Sequence, residues 1–267
     1  RNDSHYFLDD GLKRYYHKDG TNLIRGDEMR TIISVALALA LALAFPVPAA
    51  EPDLALVAVG DLNFGGGLGQ MILTRGPDYP WRDTIEVLRD GDLLLGNLEV
   101  PVSLRGAVWI KKTYLLHADP RTAEALTAAG FDLVSLANNH MVDFGAPALL
   151  DTLAAMQARG IGCAGAGPDL TAARAPAFTR FGPLRLALLS YCRVYPDQFR
   201  AGPNRAGTAW CSDREILADV EAAKSQADLV IVSIHWGADY VPTVSAYQRT
   251  LAHACIDHGA EIGRAHV

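Results

Sequence analysis

The sequence predicts an α/β fold, because strand-like apolar runs alternate with helix-like segments whose ends carry capping signals. A third observation says what such a fold would present. Four short polar clusters, Gly60-Asp61, Asn97-Leu98-Glu99, Asn138-Asn139-His140 and His235-Trp236-Gly237, each follow a strand-like run. Groups just past the carboxyl ends of strands converge on one crevice. Carboxylate, amide and imidazole side chains are therefore expected at one rim of a single sheet.

The elements follow in order. Residues 54–59 read as a buried strand ending at Gly60-Asp61, and 93–95 as a second, leading to Asn97 and Glu99. Gly65-Gly66-Gly67-Leu68-Gly69 lacks the Gly-Lys-Ser/Thr ending of a P-loop. It reads as a flexible turn whose backbone amides approach an anionic ligand. Asp119-Pro120 offers an N-cap and a first-turn proline, and Gly130 closes that helix. A strand over 133–137 leads into Asn138. Asp143 and Gly145 shape the turn into the next helix, 146–159, where Leu149, Leu150, Leu153 and Met156 share a face and Gly160 stops the turn. Residues 184–190 read as a strand. Residues 191–211, rich in Pro, Gly, Arg and aromatics, read as a long loop of the kind that carries function. Ser212 with Glu215 is a capping box opening a helix to about residue 227, and a strand over 229–234 leads into His235. Ser245 with Gln248 repeats the capping box, and Gly259 ends the last helix.

Composition bounds the function. Hydrophobic residues make up 50% of the chain and charged residues 20%, as in globular proteins. The net charge of −6 and the lack of a basic stripe argue against nucleic acid as a partner. The 4 cysteines include no Cys-x-x-Cys pair, so they are either disulfide partners in an exported protein or buried thiols. Residues 51–260 form the expected domain. Ahead of it, Met29-Arg30, the apolar run 32–45 and Val47-Pro48-Ala49 have the form of a secretory signal, or of an uncleaved anchor, over 29–50. The apolar run falls short of the ~20 residues of a spanning helix. Residues 1–28 are polar, without periodicity, and read as translated upstream or disordered sequence, or as a cytoplasmic extension. Residues 261–267 match one reading frame of a common sequencing adapter. The native sequence is thus expected to stop near Ala260, and His266 is not counted as a ligand.

The clusters carry the chemistry. Asp61, Glu99, Asn139 and His235 combine hard oxygen donors with imidazole, a set suited to divalent manganese, zinc or iron. Two such ions a few ångströms apart can clamp a hydrolytic transition state, with Glu99 as the bridging carboxylate. His140, next to Asn139, is the candidate catalytic proton donor, because imidazole titrates near neutrality. Lys112, beside Lys111, is a candidate to neutralise an acidic substrate, and Asn97, Asn138 and Trp236 are candidates to contact it.

Taken together, Gly60-Asp61, Asn97-Leu98-Glu99, Ser135-Leu136-Ala137-Asn138-Asn139-His140 with Asp143 and Gly145, and His235-Trp236-Gly237 resemble the CapA family of capsule and poly-γ-glutamate biosynthesis. The segment from Gln248-Arg249 through Leu251-Ala252-His253 to Gly259-Ala260 is similar as well. The resemblance implies a calcineurin-like metallophosphatase sandwich, two β-sheets flanked by helices, here incomplete at the C-terminus. It implies an exported, metal-binding, hydrolase-like protein acting on an acidic polymer such as poly-γ-glutamate, with membrane-bound polymer synthase or export subunits as partners. The alternative on the same fold is a non-catalytic binding or assembly module. Three departures stand out. Asp61-Leu62-Asn63 replaces the Asp-x-His of typical metallophosphatases, His117 stands where relatives often carry Arg, and the Gly-His-x-x-His-like motif expected after Gly259-Ala260 is absent.

Overall fold

Leu93-Leu94-Leu95 and Leu186 to Leu189 are apolar without a break, which suits strands covered on both faces. In the structure, a computed structural model, they lie in the interior strands of two sheets. The structure describes residues 14–16, 22–25, 54–238, 241 and 243–266. The chain divides into two units, Arg1–Pro52 and Asp53–Val267. In the first, Arg14–Tyr16 and Asn22–Arg25 pair antiparallel, within the segment that reads from sequence as lacking periodicity. The signal or anchor segment 29–50 lies outside the described residues. Among the described residues, no helix is long and apolar enough to cross a membrane.

The second unit is a two-sheet sandwich. The first sheet runs β1 (Leu56–Leu62), β2 (Leu93–Leu98), β3 (Leu133–Ser135), β4 (Gly162–Ala164), all parallel. The second has the order β8 (Ile262–His266), β7 (Leu229–His235), β6 (Leu184–Cys192), β5 (Ala177–Phe181). Here β6, β7 and β8 are parallel and β5 is antiparallel to β6. These are the two sheets that the resemblance implies, and the polar rim expected of a single sheet is shared between them. Side chains two residues apart explain how they meet: Leu93 and Leu95 of β2 with Leu133 of β3 pack against Leu186 and Leu188 of β6 and Ile231 of β7. The alternate residues face outward. Leu94, Leu98 and Val134 pack under α3 (Glu124–Ala129) and α4 (Gly145–Ala158). Ala187, Leu189, Val230 and Val232 pack under α6 (Asp213–Lys224) and α7 (Ala246–Asp257). This is the calcineurin-like α/β sandwich with helices on its outer faces.

Local signals hold where they rest on hydrogen bonding. The Asp119 carboxylate accepts from Arg121 N, a 3-10 turn Pro120–Ala123 runs into α3, and Gly130 ends it at φ 89°. Both capping boxes form, Ser212 with Glu215 on α6 and Ser245 with Gln248 on α7. Four readings need correction. The glycine cluster is no flexible turn: α1 (Gly66–Arg75) starts inside it. Gly69 is required there because a Cβ would come within 2.4 Å of Phe64 O. On α4 the buried residues are Gly145, Ala148, Leu149, Thr152 and Met156, and Leu150 is exposed, since the stripe is set by the sheet beneath and includes small and polar residues. Strand β1 is only half-buried, with Ala58 and Gly60 exposed. The 191–211 segment is partly a core element: β6 runs to Cys192, Phe199 is buried, and Gly207–Thr208 pairs with Ala166–Gly167. Strands β4 and β5, too short or too broken in pattern to read from sequence, complete the two sheets.

Candidate functional site

The strands of both sheets deliver their polar exits to one rim. From the first sheet, Asp61 stands opposite Asn97 in the β1–β2 register, and Glu99 N donates to Leu62 O at 3.0 Å just past β2. From the second sheet, His235 closes β7. His235 Nε2 lies 3.2 Å from Asn139 Oδ1 and 3.8 Å from Glu99 Oε1. His140 Nε2 lies 3.9 Å from the same Glu99 oxygen. Glu99, Asn139, His140 and His235 are thus brought together. Asp61 is exposed at the edge of the group and is tied to it through Asn97.

Beneath these residues is a buried amide framework. Asn97 Nδ2 donates to Asp61 Oδ1 at 2.8 Å, and Asn97 Oδ1 accepts from Asn138 Nδ2 at 3.1 Å. Asn138 Nδ2 also donates to Leu98 O at 2.8 Å, while its Oδ1 accepts from His140 N at 3.1 Å and Met141 N at 2.9 Å. One amide thereby ties β2 to the turn that presents Asn139 and His140. This corrects the substrate-contact expectation for Asn97 and Asn138: both are 0% exposed, and their polar atoms are used inside the fold. Trp236 is also buried, packed edge-on against Tyr247 with ring centroids 6.1 Å apart.

Asp143 is the functional residue that sequence reasoning missed. Read as a turn former, it is fully buried and its Oδ2 lies 2.8 Å from His140 Nδ1 while accepting from Leu116 N at 2.8 Å. The available signal is its place three residues after His140, within one turn of chain. Lys112 is also relocated. Its ammonium lies 2.7 Å from Asp143 Oδ1, 2.5 Å from Asn139 O and 3.1 Å from His140 Nδ1, so its contacts are internal rather than directed at a substrate. Burial pulls its pKa below the ordinary lysine value, against the opposing pull of the Asp143 carboxylate. Lys111 is exposed.

Three other positions bear on the site. Asn63, where a metallophosphatase would carry histidine, turns its Oδ1 to Gly65 N at 2.9 Å at the start of α1. His117 stacks on Phe144 with ring centroids 4.2 Å apart. Cys192 lies opposite His235 in the β6–β7 register, and burial pushes its thiol up to about 12. All 4 cysteines are free, which resolves the two readings in favour of thiols.

The donor chemistry suits a divalent ion. Donors around one ion at ~2.1 Å lie roughly 3 to 3.5 Å apart, close to the spacing of Asn139 Oδ1, His235 Nε2 and Glu99 Oε1. Counting only His, Cys, Asp and Glu, no group of three or more among the described residues could hold a metal. The Asn139 amide is what brings the set near a coordination sphere.

Comparison with known proteins gives this geometry a family. The model of "Bacterial capsule synthesis protein PGA_cap" matches residues 55–266. Capsule biosynthesis protein CapA of Bacillus anthracis is 31% identical over 220 residues, covering 78% of this chain and 53% of that protein. A probable polyglutamine synthesis accessory protein of Mycobacterium tuberculosis is 32% identical over 201 residues, covering 70% and 53%. PGA biosynthesis protein CapA of Bacillus subtilis is 28% identical over 206 residues, covering 76% and 54%. The chain thus spans about half the length of these relatives. Among solved structures, a hypothetical protein of Thermus thermophilus matches with TM-score 0.47 and 19% identity over 79% of this chain and 67% of that one. The NAD nucleotidase of Haemophilus influenzae matches with TM-score 0.45 and 13% identity over 74% and 40%. With the four polar clusters at one rim and the family match running the length of the sandwich, this chain belongs to the bacterial capsule synthesis protein PGA_cap family.

Proposed function

We propose that this protein performs metal-dependent, hydrolase-like chemistry on an acidic polymer of the poly-γ-glutamate type. The observation that carries the reading is the meeting of Glu99, Asn139, His140 and His235, drawn from two different sheets: His235 lies 3.2 Å from Asn139 and 3.8 Å from Glu99, and His140 lies 3.9 Å from Glu99. Asp61, Glu99, Asn139 and His235 would hold the ion or ions, which when bound polarise an oxygen of water or substrate. His140 has Nδ1 backed by Asp143 and Nε2 turned to the rim, so it is oriented to give a proton to a leaving group. Asn97 and Asn138 keep Asp61 and the 138–140 turn in place and stay out of contact with substrate.

A second reading is a binding or assembly module on the same fold. It is supported by Asn63, whose side chain is engaged with Gly65 N rather than facing the rim as a ligand. Export through the 29–50 segment and association with membrane-bound polymer synthase or export subunits complete the proposal. They are supported by the form of that segment and by the roles that the relatives' names carry. Calorimetric titration with Mn²⁺ or Zn²⁺, on wild type and on Glu99→Gln, tests the first reading together with polymer processing by His140→Ala. Stoichiometric metal binding lost in Glu99→Gln, with processing lost in His140→Ala, is expected. Unchanged processing in both variants leaves the binding module as the correct reading.

A further inference from the structure

We propose that Arg200 binds a carboxylate of the acidic polymer, on a stretch of substrate beside the one held at the rim. The inference deepens the acidic-polymer reading and rests on it. The 193–210 segment carries Arg193, Arg200 and Arg205 against one acid, Asp197, in a chain of net charge −6. It is pinned to the rim. Arg193 N donates to His235 O at 2.8 Å, so the segment leaves β6 beside a rim histidine. Phe199 then lies under the Lys112 ammonium, which is 5.4 Å from its ring centre and 3.1 Å from His140 Nδ1. On the return, Ala209 O accepts from Cys192 N at 2.8 Å, which sets Trp210 at the rim end of β6.

Arg200, next to Phe199, lays its guanidinium on the Trp210 ring, 4.1 Å from the ring centre. Tyr195, 73% exposed, packs on the same ring at 5.6 Å. Among the described residues the Arg200 side chain donates no hydrogen bond. Its Nε has no acceptor, and Asp197 Oδ2 is 4.0 Å from Nη2, beyond hydrogen-bond reach. Its neighbours in the segment are engaged: Arg193 pairs with Asp213, and Arg205 Nε donates to Arg200 O at 3.1 Å. The backbone beneath Arg200 is fixed. Ala201 N donates to Thr208 O at 2.9 Å, and Gly207 passes so close that a Cβ would lie 2.4 Å from Phe199 O. The side chain is 39% exposed, so its outer N–H groups meet solvent. A guanidinium fork matches a carboxylate with two parallel hydrogen bonds. Held flat by stacking, it loses little freedom when one arrives.

Calorimetric titration of the full chain with γ-linked pentaglutamate, without added metal so that the oligomer is not turned over, tests this. Arg200→Met should weaken binding by at least about 10-fold, the loss of one charge-assisted pair. Arg185 supplies the control: it stacks on Phe178 at 4.0 Å but stands near the start of β6, at the end away from His235. Arg185→Met removes the same charge and should match wild type. Arg200→Lys keeps the charge without the fork and should fall between wild type and Arg200→Met; if Arg200→Met does not fold, a loss in Arg200→Lys is read in its place. The same oligomer with its carboxylates amidated should not distinguish wild type from Arg200→Met. Equal losses in the Arg185 and Arg200 variants, no loss in either, a difference that persists with the amidated oligomer, or no binding of pentaglutamate by wild type each overturn the proposal. The hydrolase reading fails separately: Arg200-dependent oligomer binding in a protein that takes up no Mn²⁺ would leave a binding module with Arg200 as its contact.

Discussion

Replacing Gly165 by alanine should loosen the contact between the two sheets directly below the site. Gly165 follows β4 with φ 95°, and a Cβ there would lie 2.5 Å from Ala137 Cβ, 2.9 Å from Ala137 N and 2.9 Å from Ser190 Cβ. Ala137 is in the first sheet's chain just before Asn138, and Ser190 is in β6 of the second. Ser135 Oγ and Ser190 Oγ already meet at 2.6 Å across the gap. Holding a residue with a side chain in a left-handed conformation costs about 1–2 kcal/mol. Overpacking a well-filled interior adds about 1–3 kcal/mol. The sum, roughly 2–5 kcal/mol, is a large fraction of a typical folding free energy of about 5–15 kcal/mol. Gly130→Ala isolates the first part: φ is 89°, with nothing within 4 Å of the added carbon, so about 1–2 kcal/mol is expected. Urea unfolding of both variants, at unchanged denaturant slope, measures the difference. Equal destabilisation of the two would refute the reasoning, since it would mean that the sheets yield freely beneath the 138–140 turn. If the argument holds, Gly165→Ala should also weaken metal binding, because Ala137 must shift and carries Asn138 with it.

Three more expectations follow from burial and pairing. Burial raises the Cys163 and Cys255 thiols to about 11 and the Cys192 and Cys211 thiols to about 12, so a thiol reagent at pH 8 should label the native protein slowly and all 4 cysteines only after denaturation. Rapid native labelling of Cys192 would contradict its burial at the β6 terminus. Hydrogen bonds from Arg105 and Ser103 hold the Asp151 carboxyl at about 2, below its ordinary 3.8. Its contribution to stability is therefore complete above about pH 4 and is lost as the pH falls toward 2. Asp151→Asn should flatten the acid limb of stability in that window and change little at neutral pH, because Arg105 is largely exposed. Ser212→Ala and Ser245→Ala each remove a capping box and should cost about 1 kcal/mol, read from the urea midpoint.

Legibility from sequence followed the range of the interaction. Asp119-Pro120, Ser212 with Glu215 and Ser245 with Gln248 were readable because donor and acceptor lie within three residues. Glu99, Asn139 and His235 were readable as a group because a strand exit followed by a polar cluster is a local pattern with a geometric consequence. Asn97 and Asn138 were read as groups for substrate because nothing local distinguishes a rim amide from one buried below the rim. Lys112 was read as a charge for an acidic substrate for the same reason: its partners Asn139 and Asp143 are 27 and 31 residues away. The Gly65 to Gly69 cluster reads as a turn by composition. The short distance between Gly69 and Phe64 O, invisible in the sequence, makes it the first turn of α1.

The sequence by itself determined the alternation of strands and helices, the helix ends, and the donor types that stand after each strand, because these depend on periodicity and on contacts within one turn. Only the tertiary structure decided that the rim is shared between the two sheets, that β7 of one brings His235 against Asn139 and Glu99 of the other, and that Asp143 and Lys112 stand behind His140. The physical reason is that strand pairing and sheet packing join residues separated by tens to more than a hundred positions, and which of them meet depends on the register and stacking of whole strands, a property no short stretch of chain contains.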